Sequence, residues 1–67
     1  MRTEIYKTFR GYEIQINREG SRWPLCVRSV YKGVANVNLD YVHAKAYTKK
    51  TAERIARQLE AGELIIK

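Results

Sequence analysis

The stretch Leu25-Cys26-Val27-Arg28-Ser29-Val30-Tyr31-Lys32-Gly33-Val34-Ala35-Asn36-Val37-Asn38-Leu39 decides the fold. Two runs of alternating apolar and polar residues flank a glycine, the signature of a β-hairpin. A three-residue loop, Tyr31-Lys32-Gly33, with Gly33 in the left-handed conformation, sets the register. Ser29 then faces Ala35, Val27 faces Val37, Leu25 faces Leu39 and Trp23 faces Tyr41. All pairs on that face are apolar or small. The opposite face pairs Val30 with Val34, Arg28 with Asn36 and Cys26 with Asn38. A two-residue loop at Lys32-Gly33 would place Val27 opposite Asn38 and Leu25 opposite Asp40. A one-residue slip turns a whole strand over, so the three-residue loop is preferred.

The same period extends upstream, where Tyr12, Ile14 and Ile16 share the core side and Glu13, Gln15 and Asn17 share the other. Before them, Ile5 and Phe9 fit a further strand joined by an Arg10-Gly11 turn, with both side chains on the core face. One long strand with a bulge at Gly11 fits equally well. Downstream of Tyr47 the period changes. Ala52, Ile55, Ala56 and Leu59 fall on one stripe of a helix spanning about residues 49–61. Thr48 is placed to cap its first turn, Gly62 to end it in the left-handed conformation, and Glu53 and Arg57 to pair across one turn. Lys49 and Lys50 sit at the positive end of the helix dipole, where cations are mildly unfavourable, so a role other than helix stability is expected for them. Leu64-Ile65-Ile66 is too short for a helix and fits a short C-terminal edge strand. The expected class is α+β: three or four antiparallel strands packed through one face on one C-terminal helix.

The chain has 67 residues, with 13 Lys and Arg against 7 Asp and Glu and a formal charge of +6. That length holds one small basic domain with little room for a deep substrate cleft. No apolar run approaches a membrane span, and the N-terminus has no signal-like stretch, so no membrane association is expected. A single cysteine, Cys26, cannot form an internal disulfide, and a cytoplasmic setting is expected.

With the helix on one face, the other face of the sheet collects Glu13, Gln15, Asn17, Arg28, Lys32, Asn36 and Asn38, with Cys26 and Val30. Between Gly20 and Leu39 there are basic residues and no acidic one. Arg18, Arg22 and Lys45 lie in loops or at strand ends nearby, and Lys49-Lys50 open the helix. Lys and Arg neutralise phosphates and release counterions. Arg can bond guanine bidentately in the major groove, and Asn and Gln can do the same with adenine. A mixed amide and basic face is also an ordinary solvated surface, and Glu13 in its middle opposes an anionic ligand.

Catalytic arrangements find little support. Asp40 and His43 are three apart on an extended chain and point to opposite faces, so they form no triad with Ser21 or Ser29. One His and one Cys give no zinc spacing, and no cofactor is expected. Gly11 and Gly33 are lone turn glycines rather than a phosphate loop. Arg28 beside Cys26 would activate a thiol, but an inert strand cysteine is the simpler reading. Tyr12, Trp23, Tyr31 and Tyr41 are expected on the core face or its rim, leaving Tyr6 as the one aromatic on the open face.

Several of these features gather in one order: Trp23 opening a strand, Gly33 in the following turn, then Tyr47-Thr48-Lys49-Lys50 before a helix carrying Ala52-Glu53 and Arg57-Gln58-Leu59-Glu60. Over residues 22–60 this resembles the arm-type, AP2-like DNA-binding domain at the N-terminus of phage tyrosine-family integrases. The resemblance implies a three-stranded sheet that enters the DNA major groove with the helix behind it. Met1–Gly11 is extra to that pattern, Asp40-Tyr41-Val42-His43 lengthens the last strand, and no catalytic domain follows. A free-standing domain of this type would suit a phage or mobile element.

Two functions are therefore expected. The first is a non-enzymatic protein binding duplex DNA, as monomer or homodimer, through Arg28 as base reader with Gln15, Asn17, Asn36 and Asn38. Arg18, Arg22, Lys32, Lys49 and Lys50 would clamp phosphates. The second is a phage-type module that docks on an acidic host protein, such as a nucleic-acid-processing enzyme, and inhibits or modulates it.

Overall fold

The computed structural model describes residues 2–20, 22–39 and 44–67. Six elements follow one another: β1 (Arg2–Thr8), β2 (Gly11–Asn17), β3 (Leu25–Tyr31), β4 (Val34–Asn38), α1 (Lys49–Glu60) and β5 (Ile65–Ile66). They form a five-stranded sheet in sequential order with a single helix, so the class is α+β. β1 to β4 are antiparallel, and β5 joins the edge of β4 in parallel, pairing Ile65 with Val34 and Ile66 with Ala35. No helix is long and apolar enough to cross a membrane. The expectations placed on Ser21, Asp40, Tyr41, Val42 and His43, including the Trp23–Tyr41 pair, lie outside the described residues.

The N-terminal segment is a separate strand. β1 pairs with β2 along its whole length, from Arg2 opposite Asn17 to Thr8 opposite Gly11. The turn is Phe9-Arg10 rather than Arg10-Gly11. Thr8 stitches it, its Oγ1 accepting from the Arg10 amide at 3.2 Å. Phe9 consequently leaves the core and is 98% exposed. Gly11 belongs to the strand for a steric reason: a Cβ there would lie 2.8 Å from the Tyr47 carbonyl oxygen, and its φ is 140°.

The register of β3 with β4 combines the two alternatives. At the turn the loop has two residues, because Tyr31 pairs with Val34, Val30 with Ala35 and Ser29 with Asn36. Lys32 and Gly33 both have positive φ, 48° and 78°, which suits a tight hairpin turn matched to strand twist. One residue is then inserted at Arg28, a β-bulge, after which Val27 faces Val37 and Cys26 faces Asn38 as expected. The bulge lets Val27 and Val30 both turn to the core, so Val30 packs against the core in place of Ser29. Arg28 and Ser29 together oppose Asn36. The ladder stops at Asn38, and Leu39, expected opposite Leu25, is exposed.

The core lies between sheet and helix, built from Ile14, Ile16, Val27 and Ala35 on the strands and Ala52, Ile55 and Leu59 on α1. The helix ends are as expected. Thr48 Oγ1 accepts from the Thr51 amide at 3.3 Å. At the other end, the Gly62 and Glu63 amides donate to the Leu59 and Gln58 carbonyls, closing the last turn through Gly62 at φ 75°. The Glu53–Arg57 ion pair is not formed; both side chains point into water, where such a pair is worth little.

β2 and β3 pair only at Gln15–Cys26 and Ile16–Leu25. Beyond that point they part, and residues 45–47 fill the gap. The Tyr12 amide donates to the Tyr47 carbonyl at 2.9 Å, Tyr47 returns the bond at 2.8 Å, and the Lys45 amide donates to the Val27 carbonyl at 3.2 Å. This wedge delivers the chain to the start of α1 beside Tyr12.

Candidate nucleic-acid interface

The face opposite the helix is divided by depth. Its middle is not open to water, since Cys26 is 1% exposed and Ala44 is buried as well. The Ala44 carbonyl accepts from Arg10 Nη2 at 3.3 Å, and the same guanidinium donates to Glu13 Oε2 at 3.1 Å. The Glu13 side chain is only 15% exposed. The acid expected to repel an anionic ligand is therefore neutralised by Arg10 and largely covered. Gln15 and Asn17 are half-buried, and Asn17 Nδ2 reaches Glu4 Oε1 at 3.5 Å.

The exposed part of this face belongs to β3 and β4. Arg28, Asn36 and Asn38 are all exposed there, with Arg28 pushed outward by the bulge. Lys32, at the hairpin turn, is exposed too, and Arg18 and Arg22 lie exposed in the connection between β2 and β3. Lys49 and Lys50 are exposed at the start of α1, carried by the wedge rather than by this hairpin. The fold thus brings Arg28, Asn36, Asn38 and Lys32 onto one ribbon and leaves Gln15, Asn17, Lys49 and Lys50 off it. Of the 13 Lys and Arg residues, only Arg2 and Arg10 make an ion pair among the described residues.

Two aromatics expected in the core stand outside it. Trp23 is 62% exposed and Tyr31 is 70% exposed. The bulge explains Tyr31: the inserted residue moves it to the outer side of the sheet, opposite Val34. Trp23 lies ahead of Leu25, the first residue of β3. Each ring has a cation above it, Arg22 at 5.9 Å from Trp23 and Lys32 at 5.3 Å from Tyr31. In the sequence these pairs are legible only as the neighbours Arg22-Trp23 and Tyr31-Lys32.

At the β1 side, Glu4 accepts from the Tyr6 hydroxyl and from Arg2 Nη2 at 3.2 Å. The Tyr6 bond foremost, with Arg2 adding to it, holds the Glu4 carboxyl below the usual range. Glu60, at the end of α1, accepts from Thr3 Oγ1 at 2.6 Å and from the Thr3 amide at 3.1 Å, and these bonds lower it likewise. Glu60 thereby covers an outward amide of the edge strand β1. Burial pushes the Tyr47 phenol up.

Among the described residues there is no enclosed cavity and no grouping of three or more His, Cys, Asp and Glu side chains. No family model, curated protein or solved structure matches the chain.

Proposed function

We propose that this chain is a small non-enzymatic DNA-binding protein of phage or mobile-element type, contacting duplex DNA through the outer side of the β3–β4 hairpin. The observation that carries the reading is the exposed set Arg28, Asn36 and Asn38 on one two-stranded ribbon, in a stretch from Gly20 to Leu39 without a carboxylate. A ribbon of two strands fits the roughly 12 Å major groove. Arg28 is assigned to a guanine edge, and the two asparagines to adenine edges. Arg18, Arg22 and Lys32 flank the ribbon as phosphate contacts, with Lys49 and Lys50 extending the positive surface at the start of α1. Gln15 and Asn17, half-buried on β2, lie off the ribbon.

Two further features favour this reading. Lys32 occupies a left-handed position where Gly or Asn is normally preferred, so its charge is kept at some cost in stability. The resemblance to integrase arm-type domains points the same way, since there too a sheet enters the groove and a helix backs it.

The test is fluorescence anisotropy of labelled duplex DNA at several salt concentrations. About five neutralised phosphates give a slope of log affinity against log salt near −4 to −5. Arg28→Ala is expected to weaken binding by about 1–3 kcal/mol and relax sequence preference. Absence of binding at low salt would overturn the proposal.

A protein partner is the second reading, favoured by a different observation. Ile65 is exposed beside Val34 at the β5 edge, an apolar strip next to a basic surface. An acidic host protein with an exposed strand edge would match both. Retention of a partner from nuclease-treated lysate, lost in Ile65→Lys, would support it; no retained partner would remove it.

A further inference from the structure

Trp23 and Tyr31 bracket β3, one just ahead of its first residue and the other at its last. Both rings lie mostly in water, and each is paired with a cation, at 5.9 Å and 5.3 Å respectively. Such a ring-and-cation pair matches the two halves of a nucleotide, a flat base and a phosphate. In a duplex, however, each base face is already covered by its neighbours. A protein ring can stack only where a strand is open.

We propose that the β3–β4 ribbon binds DNA whose bases are unpaired more tightly than it binds duplex, with Trp23 and Tyr31, at the two ends of β3, as stacking platforms. The inference rests on the DNA reading above and narrows the form of the ligand. Arg22 and Lys32 hold the phosphates next to the stacked bases, and Arg28, Asn36 and Asn38 contact the strand between them. At about 3.3 Å per residue, the eight steps from Trp23 to Tyr31 span at most roughly 26 Å, room for several nucleotides. Phe9 with Arg10, at 5.8 Å, repeats the pairing on the β1–β2 turn, but Arg10 is already committed to Glu13 and Ala44. A bilayer surface also accepts aromatic and cationic side chains, yet it requires the apolar ones gathered together. Here the two rings stand at opposite ends of β3, with Arg28, Asn36 and Asn38 at the register positions between those ends.

Trp23 is the single tryptophan, so its emission reports stacking directly. The full chain is titrated at one salt concentration with an oligothymidylate of about twelve nucleotides, with its blunt duplex, and with phosphatidylserine vesicles. The single strand is expected to bind at least about tenfold more tightly than the duplex and to quench Trp23. Tyr31→Leu is expected to lower single-strand affinity by about 5- to 150-fold while leaving duplex affinity unchanged. Tyr31→Phe keeps the ring and restores binding. Tyr31 is exposed, and an unchanged melting temperature of both variants verifies folding. Duplex affinity equal to or above single-strand affinity, with Trp23 unquenched, overturns this inference and leaves the DNA reading standing. No binding to either DNA overturns both. An emission change with vesicles alone overturns the inference and assigns the rings to a membrane surface.

Discussion

Arg28 shows how one residue redirects a surface. The alternation around it supports two incompatible registers, and the bulge satisfies both because Val27 and Val30 are equally able to face the core. An inserted residue leaves no mark on a period-two pattern when apolar side chains stand on both sides of it. Gly11 is the opposite case. A glycine in the turn region was legible, but its reason, the Tyr47 carbonyl at 2.8 Å from a Cβ, comes from 36 residues away. Gly11→Ala is therefore expected to cost about 1–3 kcal/mol, read by thermal or chemical unfolding, since it combines positive φ with a backbone clash. A melting temperature equal to the parent's would show that the wedge is not held there. Tyr47 itself carries a buried hydroxyl with no hydrogen-bond partner among the described residues. Removing such a group relieves a desolvation cost, so Tyr47→Phe should hold stability or raise it by about 1 kcal/mol. A clear loss would mean that the hydroxyl is bonded.

The helix was the most legible element because everything that defines it is local. Thr48, the stripe from Ala52 to Leu59, and Gly62 lie within 15 residues, and each acts on its own turn. The β3–β4 hairpin was half legible: Gly33 fixed the turn, but its length depended on a bulge. That turn also holds a trade between stability and binding. Lys32→Asn makes an Asn-Gly pair, which suits the left-handed position, and is expected to stabilise the chain by up to about 1 kcal/mol. The same substitution removes one phosphate contact and should shallow the salt slope by about 1. Gain of stability with an unaltered slope would show that Lys32 stays off the DNA.

At the level of the whole molecule, the least legible feature was closure of the sheet. Lys45-Ala46-Tyr47 has no strand pattern, yet it fills the gap where β2 and β3 part. The face expected to be open across its middle is covered at Cys26, and the accessible surface shrinks to the β3–β4 ribbon and its flanks. Two carboxylates bear on pH, Glu4 through local bonds within β1 and Glu60 through a long-range tie to Thr3. Glu4 and Glu60 are both held below the ordinary carboxylate value of 4.5 by bonds made only in the folded chain. Their stabilisation is complete above that value and is lost as pH falls through the lower folded-state values. The part of the stability that these two carboxylates contribute should therefore hold from neutrality down to about pH 5 and fade below it. Thr3→Ala should return the Glu60 titration, followed by carboxyl NMR, toward 4.5; an unmoved titration would contradict the tie. Which surface meets DNA is read by amide chemical-shift mapping during titration with duplex DNA. Shifts concentrated in Leu25–Asn38, with Arg18, Arg22 and Lys49-Lys50 at the margin and Glu53, Arg57 and Glu60 unmoved, are predicted. Shifts centred on the exposed side of α1, or none at low salt, would contradict it.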